Sequence, residues 1–129
     1  MSDAAYYRLL GVSDSETIFA GLLDLLRDDP ADLASAVRET TRLVTEVYGG
    51  LGIEATLNLS VTDGTAMAFT RYSTDGPGTS LYVLEDANMS PGAVVVACER
   101  MDEDSRWRKV PDQHLLSVRR GSGATLSPL

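Results

Sequence analysis

Four consecutive residues near the start, Ser13, Asp14, Ser15 and Glu16, combine side chains able to do chemistry with the start of an element that could position them. They open an apolar helical pattern, so their plain physical role is a capping box. The Ser13 hydroxyl would accept from the backbone N–H of Glu16, and the Glu16 carboxylate would reach back to the N–H of Ser13. Such a cap contributes ~1 kcal/mol of helix stability. Asp14 falls in the first turn, where the helix dipole favours a carboxylate and where that carboxylate can also meet a ligand ammonium. A second candidate is Arg71, which stands in an otherwise apolar run. It can project toward a ligand or pair with a neighbouring carboxylate.

The remaining reactive residue types are read as structural. His114 is the only histidine and has no serine or cysteine context, so it is placed at the start of a strand. Cys98 ends a valine run and is expected to be a small buried hydrophobe. The acidic cluster Glu99, Asp102, Glu103 and Asp104 lacks a calcium-loop spacing and is interrupted by Arg100, so a solvated loop is expected and no metal. Gly76-Pro77-Gly78 has neither the following helix nor the lysine of a phosphate cradle. No catalytic residue and no cofactor are assigned.

The elements that must hold these groups follow from periodicity. From residue 14 to about 27, Ile18, Phe19, Leu22, Leu23, Leu25 and Leu26 form a stripe at 3.6-residue spacing, stopped by Asp28, Asp29 and Pro30. A second helix is expected from about 31 to 48, with Leu33, Val37, Thr40, Val44 and Val47 on one face and Gly49 and Gly50 as its C-cap. The short join makes the two helices an antiparallel pair. After Gly52 the period becomes two. Ala55, Leu57, Leu59 and Val61 alternate with Glu54, Thr56, Asn58 and Ser60, and Asp63-Gly64 turns the chain into a partner strand over 65–72. Strands are also expected at 80–84, at 93–98 with both faces buried, and at 115–118. The order predicts an α+β fold: two antiparallel helices packed on a mostly antiparallel sheet over residues 1–120, with a flexible tail at 121–129.

Composition narrows the function classes. A chain of 129 residues with 43% hydrophobic side chains can bury a core as one domain. Eleven basic against nineteen acidic side chains give a net charge of −8, which argues against nucleic-acid or anionic-membrane binding. A single cysteine forms no intrachain disulfide, and the chain reads as cytoplasmic. The first ten residues lack the basic and apolar regions of a signal peptide, and no run reaches the ~18 apolar residues of a membrane span.

Taken in order, several segments carry a resemblance. They are Gly11-Val12-Ser13-Asp14-Ser15-Glu16, Leu57-Asn58-Leu59 through Thr62-Asp63-Gly64, Ala68-Phe69-Thr70-Arg71-Tyr72, Ser80-Leu81-Tyr82, Val95-Val96-Ala97-Cys98-Glu99, Trp107, Val110-Pro111 and Leu115-Leu116. Together they resemble the C-terminal half of a class II glutamine amidotransferase, in the branch that includes the γ-glutamyl hydrolase of ergothioneine biosynthesis. The resemblance implies half of an Ntn-hydrolase αββα sandwich. In that family an N-terminal cysteine attacks a γ-carboxamide, an oxyanion hole stabilises the tetrahedral intermediate and water releases glutamate. It also implies that Asp14 binds the α-amino group of a glutamine or γ-glutamyl substrate.

The start of the chain departs from that family. Met1-Ser2-Asp3 stands where the family has its cysteine opening, and the family's nucleophile, oxyanion elements and carboxylate-gripping arginine have no counterpart by motif. These residues are therefore expected to be inactive alone: an N-terminal half polypeptide or self-association completes them, or they are a truncated product or the internal part of a longer enzyme that starts upstream of Met1. The alternative is a non-catalytic α+β binding or interaction module.

Overall fold

The computed structural model describes residues 14–28, 32–74, 76, 79–86 and 92–129. Two compact units divide the chain, the first ending at Ile53 and the second running Glu54–Leu129.

The first unit holds α1 (Asp14–Asp28) and α2 (Leu33–Gly50), which pack against each other as an antiparallel pair. Ala20 and Leu22 of α1, and Leu33, Ala36 and Val37 of α2, are buried. The Asp32 carboxylate caps α2, accepting from the Ser35 N–H at 2.9 Å. Its other end differs from expectation. The helix runs through Gly49 and Gly50, and the reversal falls at Gly52, whose φ is +68°. Ile53 N–H then reaches Tyr48 O at 2.9 Å and Gly52 N–H reaches Gly49 O at 3.1 Å, the paired bonds of a Schellman motif. Only the residue that must enter the left-handed region needs to be glycine. Val47, expected on the inner face of α2, is 60% exposed.

The second unit contains two antiparallel sheets, where a single sheet was expected. The larger comprises β1 (Thr56–Leu57), β2 (Ser60–Thr62), β3 (Ala66–Ser73), β7 (His114–Arg119) and β8 (Gly123–Pro128), in the order β1-β3-β7-β8 with β2 also on β3. The smaller comprises β4 (Tyr82–Glu85), β5 (Val94–Ala97) and β6 (Arg108–Lys109), in the order β5-β4-β6.

Pairs Thr56↔Ser73 and Ser60↔Phe69 share one register, so β1 and β2 form one line along β3. At their join the buried Thr70 hydroxyl accepts from Leu59 N–H and donates to Leu57 O, each at 2.9 Å. The expected alternation over 54–61 holds, with Ala55 and Leu57 buried and Glu54, Thr56, Asn58 and Ser60 exposed.

Between the sheets, Val83, Val110, Leu116 and Val118 form a buried cluster, joined by Phe69, Met67, Val94, Val96 and Leu126. The other face of the small sheet packs Leu84 against Trp107, with Tyr82, Val95 and Ala97 around them. Strand β5 therefore packs on both faces, but as an edge strand it remains half-exposed throughout.

The expected tail is also corrected. Residues 123–128 are a strand paired along the whole of β7, from Arg119↔Gly123 to His114↔Pro128. Gly121 and Gly123, read as marks of a loose end, supply the positive φ values of a tight hairpin, +80° and +70°. Among the described residues, no helix is long and apolar enough to cross a membrane.

Candidate functional site

Asp14 is the first residue of α1, so its backbone stands at the positive end of a 15-residue helix. Ser13 and the residues before it lie outside the described residues, as does the side chain of Asp14; the capping box and the Gly11-Val12 piece fall there too. Asp14 belongs to the first unit and Arg71 to the second.

Arg71 lies in β3 directly opposite His114 of β7. Its side chain is 7% exposed. Nε donates to Thr79 O at 3.1 Å, Nη1 donates to Val110 O at 2.5 Å, and Nε lies 3.3 Å from Asp112 Oδ1. The guanidinium thus meets two backbone carbonyls and one neighbouring carboxylate. The side chain ties β3 to Thr79 and to the turn between β6 and β7. His114 joins the same junction, with Nδ1 2.8 Å from Asp112 O.

Sequence reasoning missed the partners here. Asp112 and Gln113 shape the turn, Gln113 at φ +58° with its Nε2 donating to Ser73 O at 2.6 Å. The Pro111-Asp112-Gln113 run carried a turn signal that would have found them.

Cys98 is exposed rather than buried, because β5 ends at Ala97 and the chain leaves the sheet. Its carbonyl accepts from the Ser80 hydroxyl at 2.8 Å.

The acidic loop is built by its own carboxylates. Asp102 Oδ1 accepts from Trp107 Nε1 at 2.7 Å and from Asp104 N–H at 3.0 Å. Asp104 accepts from both the backbone and the guanidinium of Arg106. The Arg106 side-chain hydrogen bond is the main cause that holds the Asp104 carboxyl at about 2, below its ordinary 3.8. Among the described residues, no group of three or more His, Cys, Asp or Glu could hold a metal ion.

The β2–β3 hairpin is organised in the same manner. Asp63 Oδ1 accepts from the N–H groups of Ala66 and Thr65 at 2.8 and 2.9 Å and from the Thr65 hydroxyl. Those bonds, Ala66's first, lower the Asp63 pKa.

No family model and no curated protein matches the chain. Among solved structures it is similar to a glutamine aminotransferase class-II domain protein from Silicibacter pomeroyi, at 26% identity and a TM-score of 0.73. The chain shares the class II glutamine amidotransferase fold. The match covers 99% of this chain and 57% of the other, so these residues span little more than half of that protein's length. The α+β class, the antiparallel helix pair and the antiparallel sheets are those of the class II fold.

Proposed function

We propose that this chain is the C-terminal part of a class II glutamine amidotransferase-type γ-glutamyl amide hydrolase, of the branch that includes the ergothioneine-biosynthesis enzyme, and that it acts in the cytoplasm. The observation that supports its class II part is the structural likeness running over 99% of the chain at 26% identity, and the branch and substrate rest on the sequence resemblance. In this reading Asp14, at the head of α1, binds the α-amino group of a glutamine or γ-glutamyl substrate. A carboxylate against an ammonium forms a charge-assisted hydrogen bond, which is both strong and directional.

The acyl-transfer chemistry itself needs a cysteine activated by a free N-terminal amine and an oxyanion hole. In this reading both belong to the other half of the class II fold, and the residues here supply the amine ligand and part of the scaffold. Arg71, whose guanidinium meets Thr79, Val110 and Asp112, holds that scaffold.

The test is Asp14→Asn in a complex of the chain with a cysteine-bearing N-terminal half. Asparagine keeps the size and removes the charge. Affinity for a γ-glutamyl ligand, read by calorimetry, is expected to fall roughly tenfold to a hundredfold, since a hydrogen bond to a charged group contributes about 1.5–3 kcal/mol. Unchanged affinity would return Asp14 to a purely helix-stabilising role.

A further inference from the structure

At one end of the second unit, the tips of the β2–β3 and β7–β8 hairpins and Gly92 surround a cavity of about 470 Å³. Its apolar lining is Met67, Val94 and Val118, the end of the core between the sheets. Four glycines from three segments line it as well, Gly64, Gly92, Gly121 and Gly123, with φ of +93°, +78°, +80° and +70°. The backbone is uncovered at Gly64 and Gly121, whereas the Glu85 carboxylate stands against Gly123 and the Asp86 carboxylate accepts from Gly92 N–H at 2.8 Å. A Cβ built on Gly64, Gly92 or Gly121 would have open space around it.

The ionisable residues of the lining itself are Arg119 and Arg120, while the carboxylates that touch its glycines are already engaged, Glu85 by Ala124 N–H and Arg108, and Asp86 by Gly92 N–H. Elsewhere Arg27, Arg42, Arg106 and Arg108 each pair with a carboxylate within 3.3 Å. Arg119 and Arg120 have no such partner among the described residues, and both are exposed. The cross-strand neighbours of Arg119 are Ala66 and Gly123, too small to shield or pair with it. Asp63, the nearest carboxylate in sequence to the other tip, already accepts from Thr65 and Ala66.

We propose that this cavity binds a small anion, a molecule of amino-acid to mononucleotide size that presents a phosphate or carboxylate to Arg119 and Arg120. Two guanidinium groups offer fork-shaped donor sets matched to either oxyanion. The apolar lining accommodates the body of the ligand, and a volume of this order is that of small-molecule sites. The site lies wholly in the second unit and does not rest on the role given to Asp14.

The test is a titration of the isotope-labelled chain with inorganic phosphate, adenosine monophosphate and L-glutamate, each against chloride at matched ionic strength, followed by amide resonances. Saturable shifts at Gly64, Gly92, Gly121 and Gly123 are expected with at least one of them. Response to the phosphates alone identifies a phosphate ligand, and response to glutamate alone a carboxylate ligand. The double variant Arg119→Gln/Arg120→Gln is expected to bind at least tenfold more weakly, and Arg108→Gln within twofold of the parent. Ala66→Glu, which sets a carboxylate beside Arg119, is expected to abolish the shifts while leaving both arginines in place. Absence of saturable shifts with all three ligands, or shifts that persist in the double variant and in Ala66→Glu, would overturn the proposal. Glutamate shifts confined to the head of α1 would also overturn it, while agreeing with the role given to Asp14.

Discussion

A single carboxylate, that of Glu85, joins the two sheets of the second unit. Its Oε1 accepts from Ala124 N–H at 2.7 Å in β8, and its Oε2 lies 3.0 Å from Arg108 in β6. Gly123 sits beneath it, and a Cβ there would come within 2.7 Å of Oε1. Gly123→Ala is therefore expected to lose about 2–4 kcal/mol in urea unfolding, since a positive φ costs an L-residue about 1–2 kcal/mol before the clash is counted. Gly121→Ala, at φ +80° with open space around it, should lose only that first part. Equal losses would show that the Glu85 contact carries nothing.

Arg71 is the second residue-scale test. Arg71→Met keeps the aliphatic length and leaves the Val110 and Thr79 carbonyls without their donor. An unsatisfied buried acceptor costs about 1–3 kcal/mol, so a loss of about that size is expected from the Val110 carbonyl, the exposed Thr79 adding little. A ligand-binding role with no structural part would leave stability unchanged.

At the scale of elements, the strand β8 is the most instructive. It contributes Ala124 and Leu126 to the core between the sheets and covers the whole of β7. Removing 121–129 is expected to expose β7 as a long apolar edge and to convert a cooperative unfolding transition into aggregation, read by light scattering during urea or thermal unfolding. A truncated chain that stays monomeric and unfolds cooperatively would show that β8 is dispensable.

Most elements with a strong period were legible: α1 and α2 from 3.6-residue stripes, and the β2–β3 hairpin from alternation around Asp63-Gly64. What escaped had no period to read. Strand β6 is two residues, Arg108–Lys109, both exposed and charged, and exists only because β4 pairs with it. The division into two sheets depends on which strands meet, not on any one strand's pattern. The Arg71 junction was hidden for the same reason, because Val110 and Asp112 lie far from it along the chain and close in space. Cys98 was misplaced because a valine run reads as buried whether its strand is central or at an edge.

At the scale of the whole molecule, acid response follows from Asp63 and Asp104, both lowered by hydrogen bonds that exist only in the folded chain. A carboxyl lowered on folding contributes stability that is present above its unfolded value and is lost as pH falls through its folded value. Stability should thus hold from pH 7 to about 5 and fall as pH drops from about 4 to about 2, the range between the ordinary 3.8 of Asp104 and its folded value. Asp104→Asn should flatten that fall, as measured by urea midpoints across the range; an unchanged profile would assign it to other groups.

Large apolar side chains are exposed on the first unit, among them Phe19 at 53%, Val47 at 60% and Leu51 at 66%. Such surface suits a partner chain. The central proposal is that these residues supply part of a γ-glutamyl amide hydrolase site whose nucleophile belongs to the other half of the class II fold. Glutamate release from glutamine, measured for the chain alone and after addition of a cysteine-bearing N-terminal half, tests it most directly. The account predicts no release from the chain alone and release on mixing that is lost when the added cysteine is changed to alanine. Release by the chain alone, or none after a stable complex forms, would contradict it.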